Sequence, residues 1–261
     1  MEAPRGRPRT LALGMWLTTR GALARASLAI TALGALGSIA AALATRGTPT
    51  LEELPTLASM ALTWGAGTTL AFGGALHALR HDRERGIVAL ARARGVSVAG
   101  YGGGRVGGLT VVLALAMGGG TLVAGLAATA VAGPAAHALA RASVAAVVYA
   151  LAFAVTLGPV AMAALGGRSR AGGYATLLAV LVVPELLGPW TGALLPKGWR
   201  ELTSIPAALE AVRAGVQFAG PALLHAARAA VALVAIVAAS LVLVHARVSI
   251  DGSREDATGN A

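Results

Sequence analysis

Residues 79–95 read LRHDRERGIVALARARG. This short charged stretch joins two of the most apolar regions of the chain, 56–79 and 106–132. Arg80, Asp82, Arg83, Glu84 and Arg85 crowd its first part, and Arg92 and Arg94 follow. The spacing after Arg83 is helical: Ile87, Leu90 and Ala91 share one face, while Arg85 and Arg92, two turns apart, share the other. Gly86 interrupts the run near its start and Gly95 ends it, while Asp82 and Glu84 near the beginning suit the positive end of a helix dipole. The segment is therefore expected as a short amphipathic helix, about 83–94, with an outward basic face. A loop whose arginines only fixed topology would need the charges but not the apolar spacing.

Outward from this segment the chain is oily. It has 261 residues, 56% hydrophobic and 12% charged, where soluble domains carry about 25% charged residues. Six apolar segments, 27–44, 56–79, 106–132, 143–165, 174–191 and 222–244, each approach the ~20 residues that cross a bilayer as a helix. The expected fold is thus an all-α polytopic membrane protein with six transmembrane helices. Alternation over about ten residues is absent, which argues against a membrane barrel. With no cysteine there is no disulfide framework, thiolate metal site or cysteine nucleophile.

The net charge of +10 matters less than its placement. With both termini cytoplasmic, the inner side takes Arg5, Arg7, Arg9, Arg20, Arg25, Arg80, Arg83, Arg85, Arg92, Arg94, Arg105, Arg168, Arg170, Arg247 and Arg254. Only Arg46, Arg141, Lys197, Arg200, Arg213 and Arg228 of the 21 basic residues fall elsewhere. That asymmetry orients the spans, and it makes the lipid bilayer, not nucleic acid, the expected partner. Lys197 is the sole lysine, and alanine and glycine abound, a pattern of GC-rich coding that suggests a bacterial source and its cytoplasmic membrane.

Residues 1–26 are expected as a basic segment with an interfacial helix, Leu13, Trp16 and Leu17 on one face and Arg20 and Arg25 snorkelling. Residues 27–245 hold the six spans, and 246–261 form a polar, fraying cytoplasmic tail. Spans two and three are glycine-rich, which serves either close helix packing or bending. Pro184 and Pro189 are expected to break the fifth span. About 194–221 then reads as a partly helical outer cap or re-entrant segment, with Pro206 in the first turn of a helix over 205–215.

Catalytic and metal motifs are weak. The glycines in GGGRVG at 102–107 match a dinucleotide fingerprint in spacing only, because no strand precedes them. No phosphate loop exists, so ATP hydrolysis is not expected on this chain, nor is any cofactor. His77 and His81 have i,i+4 spacing but read as interfacial histidines, so no metal is expected. Glu185 is the one acid deep in a span, where unpaired burial would cost about 2.5–3.5 kcal/mol or more. Arg228 enters span six at comparable depth, and a Glu185–Arg228 ion pair is the expected compensation.

The stretch DRERGIVALARARGVSVAGYGGGRVGG at 82–108 resembles the loop between spans two and three of type-2 ABC exporter permeases. There an acid, a variable residue and a glycine open a short coupling helix that docks on a separate ATPase subunit. Glu84, Arg85 and Gly86 match that opening. Two positions depart from the pattern: Ile87 replaces a frequent threonine, and Arg94-Gly95 stand where a proline is usual. The resemblance implies ATPase coupling through Glu84, Arg85, Gly86, Ile87, Leu90, Arg92 and Arg94. It further implies a lesser contact at Arg168 and Arg170, and a dimer with a second permease copy or homologue. Two alternatives stay open, an ion-coupled carrier and a membrane-embedded enzyme acting on lipids.

Overall fold

The structure, a computed structural model, describes residues 7–76, 78–167, 170–194 and 204–258, and no strand occurs among them. The chain opens with α1 (Arg7–Thr19) and, past Arg20-Gly21, α2 (Ala22–Ala44). Helix α3 (Thr50–Ala61) passes through a π-helical stretch, Leu62–Gly67, into α4 (Thr68–Ala75). Two short helices follow, α5 (Ala78–Glu84) and α6 (Ile87–Ala93). Helix α7 (Val98–Leu113) continues through a second π-helical stretch, Ala114–Gly118, into α8 (Gly119–Val131). Then come α9 (Ala136–Leu165), α10 (Arg170–Leu181), α11 (Val183–Leu194), α12 (Ile205–Phe218) and α13 (Pro221–Thr258).

Five stretches are long and apolar enough to cross a membrane: Ala22–Ala44, Val98–Val131, Gly133–Leu165, Ala171–Gly188 and Pro221–Val248. Helix α9 is central, with Tyr149, Phe153, Leu157, Met162 and Leu165 fully buried among α3, α4, α7, α8, α12 and α13. The outer helices expose large apolar side chains, Leu33 and Leu36 on α2 and Val231 and Val234 on α13. In water each such side chain would forgo about 1.5–3 kcal/mol of burial, whereas in lipid there is nothing to forgo. This apolar shell belongs in a bilayer.

The expected span 56–79 is the one outside that group of five. Residues 50–75 run as unbroken helix, yet Thr63, Thr68, Thr69 and four glycines dilute their apolarity. The dilution has a packing cause. A Cβ at Gly67 would lie 2.8 Å from Met117 Sδ and 2.9 Å from Phe153, and one at Gly74 would lie 2.7 Å from Leu109. Small residues let this helix run inside the bundle. The two π-helical stretches also meet there, through Leu62, Ala66 and Met117 against Ala150. Glycine-rich spans two and three thus combine close packing with a local change of helix winding.

Helix α1 packs on the bundle through residues other than the Leu13, Trp16 and Leu17 face read from the sequence. Among its described side chains Gly14 and Thr18 are the buried positions, while Trp16 is 51% exposed with the Arg20 guanidinium 4.1 Å above its ring. A Cβ on Gly14 would fall 2.0 Å from the Gly104 carbonyl oxygen, and one on Gly108 would fall 2.3 Å from the Gly14 carbonyl carbon. Gly104 and Gly108, four apart on α7, therefore make a small-residue seam on which α1 lies backbone to backbone.

Between α10 and α11 the helix is interrupted at Val182, just before Pro184. Pro189, expected to break the chain as well, sits inside α11. Helix α12 starts as expected, with Pro206 in its first turn and the Ser204 hydroxyl accepting the Ala207 N–H at 3.0 Å. Helix α13 continues through Thr258, well past the apolar window that ends at Val248, so the expected fraying tail is helical in its backbone.

Candidate functional site at the charged end of the bundle

The charged segment folds as two helices separated by a glycine and closed by another. Gly86 takes φ +69°, left-handed, and turns the chain from α5 into α6. Gly95 takes φ +77° and ends α6 with a paired cap: its N–H donates to Arg92 O at 2.8 Å, and the Val96 N–H donates to Ala91 O at 3.0 Å. Ser97 then caps α7 by accepting the Gly100 N–H at 3.0 Å. With this glycine stop, Arg94-Gly95 leaves α6 sharply terminated.

The base of the segment is fixed. The Leu79 and Arg80 N–H groups both reach the Gly166 carbonyl, at 3.1 and 3.3 Å, beside the end of α9. Asp82 is buried and accepts the Tyr101 hydroxyl at 2.6 Å. Arg105 Nε lies 2.7 Å from the same carboxylate oxygen, an ion contact with both side chains about 95% buried. Tyr101 and Arg105 sit one turn apart on α7, so this trio clamps α5 onto α7 across the intervening α6. The i,i+4 tyrosine and arginine beside a lone aspartate were the sequence signal for it, and dipole arguments on Asp82 alone passed over it.

The tip of the segment is open. Arg85, Gly86, Leu90 and Arg94 are exposed, Ile87 and Arg92 are half-buried, and Ala91 is buried against the bundle. Glu84 is exposed and paired with Arg80 at 2.8 Å, with His81 Nδ1 3.9 Å away. His77 and Arg168 lie outside the described residues, and Arg170 opens α10. The end of α13 joins this end of the bundle through Arg247, whose guanidinium donates to the Ala163 carbonyl. No cluster of metal-ligating side chains occurs among the described residues.

The Glu185–Arg228 pair expected from the sequence is not formed among the described residues. Glu185 instead takes the Ser204 hydroxyl, which ties the start of α11 to the cap of α12, and Arg228 is exposed. Two residues one helical turn apart make the ion pair in this region: Arg213 Nε donates to Glu210 Oε2 at 2.8 Å, with Arg213 mostly buried. Deeper still, Trp64 Nε1 donates to the Tyr149 hydroxyl at 2.6 Å.

Between the α1–α2 joint and the charged segment lies an open cavity of about 410 Å³. Arg20, His81, Asp82, Arg85 and Arg105 line it together with Leu17, Leu76, Ile87 and the backbones of Gly21, Gly73 and Gly74. Comparison with known protein families, curated proteins and solved structures finds no match to this chain.

Proposed function

We propose that the chain is the membrane-spanning permease subunit of an ATP-driven ABC transporter, an exporter, with ATP hydrolysed on a separate cytoplasmic subunit. The observation that carries the reading is the charged segment itself, rigid at its base and exposed at its tip. Its base is held by the Gly166 carbonyl and by the Asp82–Arg105–Tyr101 clamp. Its tip offers Leu90 and Arg94 to a partner, with Ile87 and Arg92 half-buried behind them.

Such a part is suited to transmitting movement. A partner that closes on ATP and grips α6 shifts it, and the clamp passes the shift to α7 instead of letting it dissipate in a loose loop. Through Gly166 the same force reaches the end of α9, the centre of the bundle. Arg85, Arg92 and Arg94 would meet acidic residues of the ATPase, and Ile87 and Leu90 an apolar groove. Arg168 and Arg170 would supply the lesser contact, and a second permease copy would complete the pathway.

Six crossings with both termini cytoplasmic complete the proposal. Residues 50–75 favour the sixth crossing by their length: at 1.5 Å per residue they extend roughly 39 Å, more than the ~30 Å hydrocarbon core. They start where Leu51 packs with Ala42, Ala128 and Leu139 and end near the charged segment, so they traverse the bundle. The expected positive-inside orientation then puts α5 and α6 in the cytoplasm of a bacterial cell.

The test is co-purification in mild detergent of the tagged chain, expressed with its chromosomal neighbours and assayed for ATP hydrolysis. The expected result is a soluble phosphate-loop ATPase retained by the unaltered chain and lost with Leu90→Asp/Arg94→Glu. A well-folded preparation that retains no ATPase overturns the reading and favours an ion-coupled carrier.

A further inference from the structure

The cavity at the α1–α2 joint has a composition that ATPase docking does not account for. Three arginines from three different elements line it: Arg20 from the joint, Arg85 from the turn before α6, and Arg105 from α7. His81 adds a fourth nitrogen-bearing side chain. Asp82 is the one carboxylate in the lining, and it is already engaged by the Tyr101 hydroxyl and Arg105. The buried Arg105 Nη1 has no hydrogen-bond partner among the described residues.

The depth of the cavity narrows the kind of anion. Arg20 and Gly21 immediately precede Ala22, where the first candidate span begins, and the span from Val98 starts seven residues before Arg105. The site thus lies where hydrocarbon gives way to water. Leu17, Leu76 and Ile87 give it apolar walls, while Gly21, Gly73 and Gly74 leave backbone rather than side chain at its surface. Trp16, exposed beneath Arg20, suits the same interfacial layer.

From these observations we infer that the cavity is a binding site for a phosphate group, supplied by an anionic phospholipid headgroup and held by Arg20, Arg85 and Arg105. The phosphate joins the α1–α2 joint to the charged segment, so the lipid fixes the position of α5 and α6 relative to α1. Arg85 and Ile87, which the ATPase reading also uses, are here assigned to the lipid, and the test does not depend on that reading because it concerns the purified chain alone.

Native mass spectrometry of the detergent-purified full chain tests it, with dioleoylphosphatidylglycerol and dioleoylphosphatidylcholine as probes. The expected result is retention of phosphatidylglycerol over phosphatidylcholine. Basic residues near a membrane surface each contribute about fivefold in affinity, so Arg20→Gln should weaken phosphatidylglycerol about fivefold and Arg20→Gln/Arg85→Gln about 25-fold. Both residues are exposed, and Arg20→Lys/Arg85→Lys, which keeps the charge, should retain the lipid. Competition by millimolar inorganic phosphate, itself lost in the glutamine pair, would support the phosphate site and assign it a soluble ligand. Equal retention by the unaltered chain and the glutamine pair, or an equal loss in the lysine pair, overturns the inference.

Discussion

Asp82 and Arg105 stand 23 positions apart in the chain, yet Arg105 Nε lies 2.7 Å from the Asp82 carboxylate with both side chains withdrawn from solvent. The pair brackets α6, so the most exposed part of the charged end hangs from one of the most buried contacts of the structure. Removing one member leaves a charge with no partner in a dry place, which typically costs about 3–5 kcal/mol. Asp82→Asn is therefore expected to lower the thermal unfolding temperature in detergent sharply. The triple variant Asp82→Leu/Tyr101→Phe/Arg105→Met, which removes every polar member at once, should recover much of that loss. A single variant as stable as the unaltered chain would show that the pair is not the anchor of α5.

The α1–α7 seam makes a second prediction, with a built-in control. A Cβ on Gly108 would meet the Gly14 backbone at 2.3 Å, and backbone has no rotamer with which to yield. Gly108→Ala should therefore force α1 off α7, at or above the ~1–3 kcal/mol usual for overpacking. Gly103→Ala, five residues earlier on the same helix, adds a Cβ with nothing within 4 Å. It should be neutral or stabilising by up to ~1 kcal/mol, since alanine is the better helix former. Limited proteolysis after Arg20 reads out the difference: faster cleavage in Gly108→Ala, unchanged cleavage in Gly103→Ala.

These two sites also mark what the sequence makes legible. Helix positions, the charged segment, the Pro206 start of α12 and the interruption at Pro184 all follow from local rules, because hydrogen bonding and proline sterics act over a few residues. The packing face of α1 does not. Leu13, Trp16 and Leu17 are its bulky apolar residues, and in water such a face turns inward. In lipid the outside is apolar too, so close approach selects Gly14 and Thr18 for the inside and leaves Trp16 facing out. Partners distant in sequence are hidden for another reason. Glu185 and Arg228 match in estimated depth, but depth says nothing of rotation about the helix axis, and Glu185 finds Ser204 instead. The dilute apolarity of 50–75 likewise reflects neighbours, Met117 and Phe153, that no periodicity reveals.

Gly95 carries a third prediction, bearing on the departure from the proline-containing pattern. Its φ of +77° costs a side chain about 1–2 kcal/mol, although nothing lies within 4 Å of the added Cβ. Gly95→Ala should loosen the end of α6 by that amount and no more. Gly95→Pro should be worse, since proline cannot take positive φ and its missing N–H removes the 2.8 Å bond to Arg92 O. Amide exchange over residues 87–97 should rise modestly in the first variant and strongly in the second. Equal protection in both would mean that the cap does not hold α6.

The course of residues 50–75 through the membrane yields the last prediction, and the absence of cysteine makes it clean to test. If these residues cross, Arg46 and Ala89 lie on opposite faces of the membrane, and Arg46 and His137 on the same one. If they dip in and return, Arg46 and Ala89 share a face. All three positions are exposed, so a cysteine at each is expected to be tolerated. In intact cells an impermeant maleimide should label Arg46→Cys and His137→Cys from outside, and Ala89→Cys only after the membrane is opened. The packing of Leu51 with Ala42, Ala128 and Leu139 requires Arg46 and His137 to behave alike, because those contacts gather the same ends of α2, α3, α8 and α9. Labelling of Ala89→Cys in intact cells alongside Arg46→Cys would remove the sixth crossing. It would also take the charged segment out of reach of any cytoplasmic ATPase.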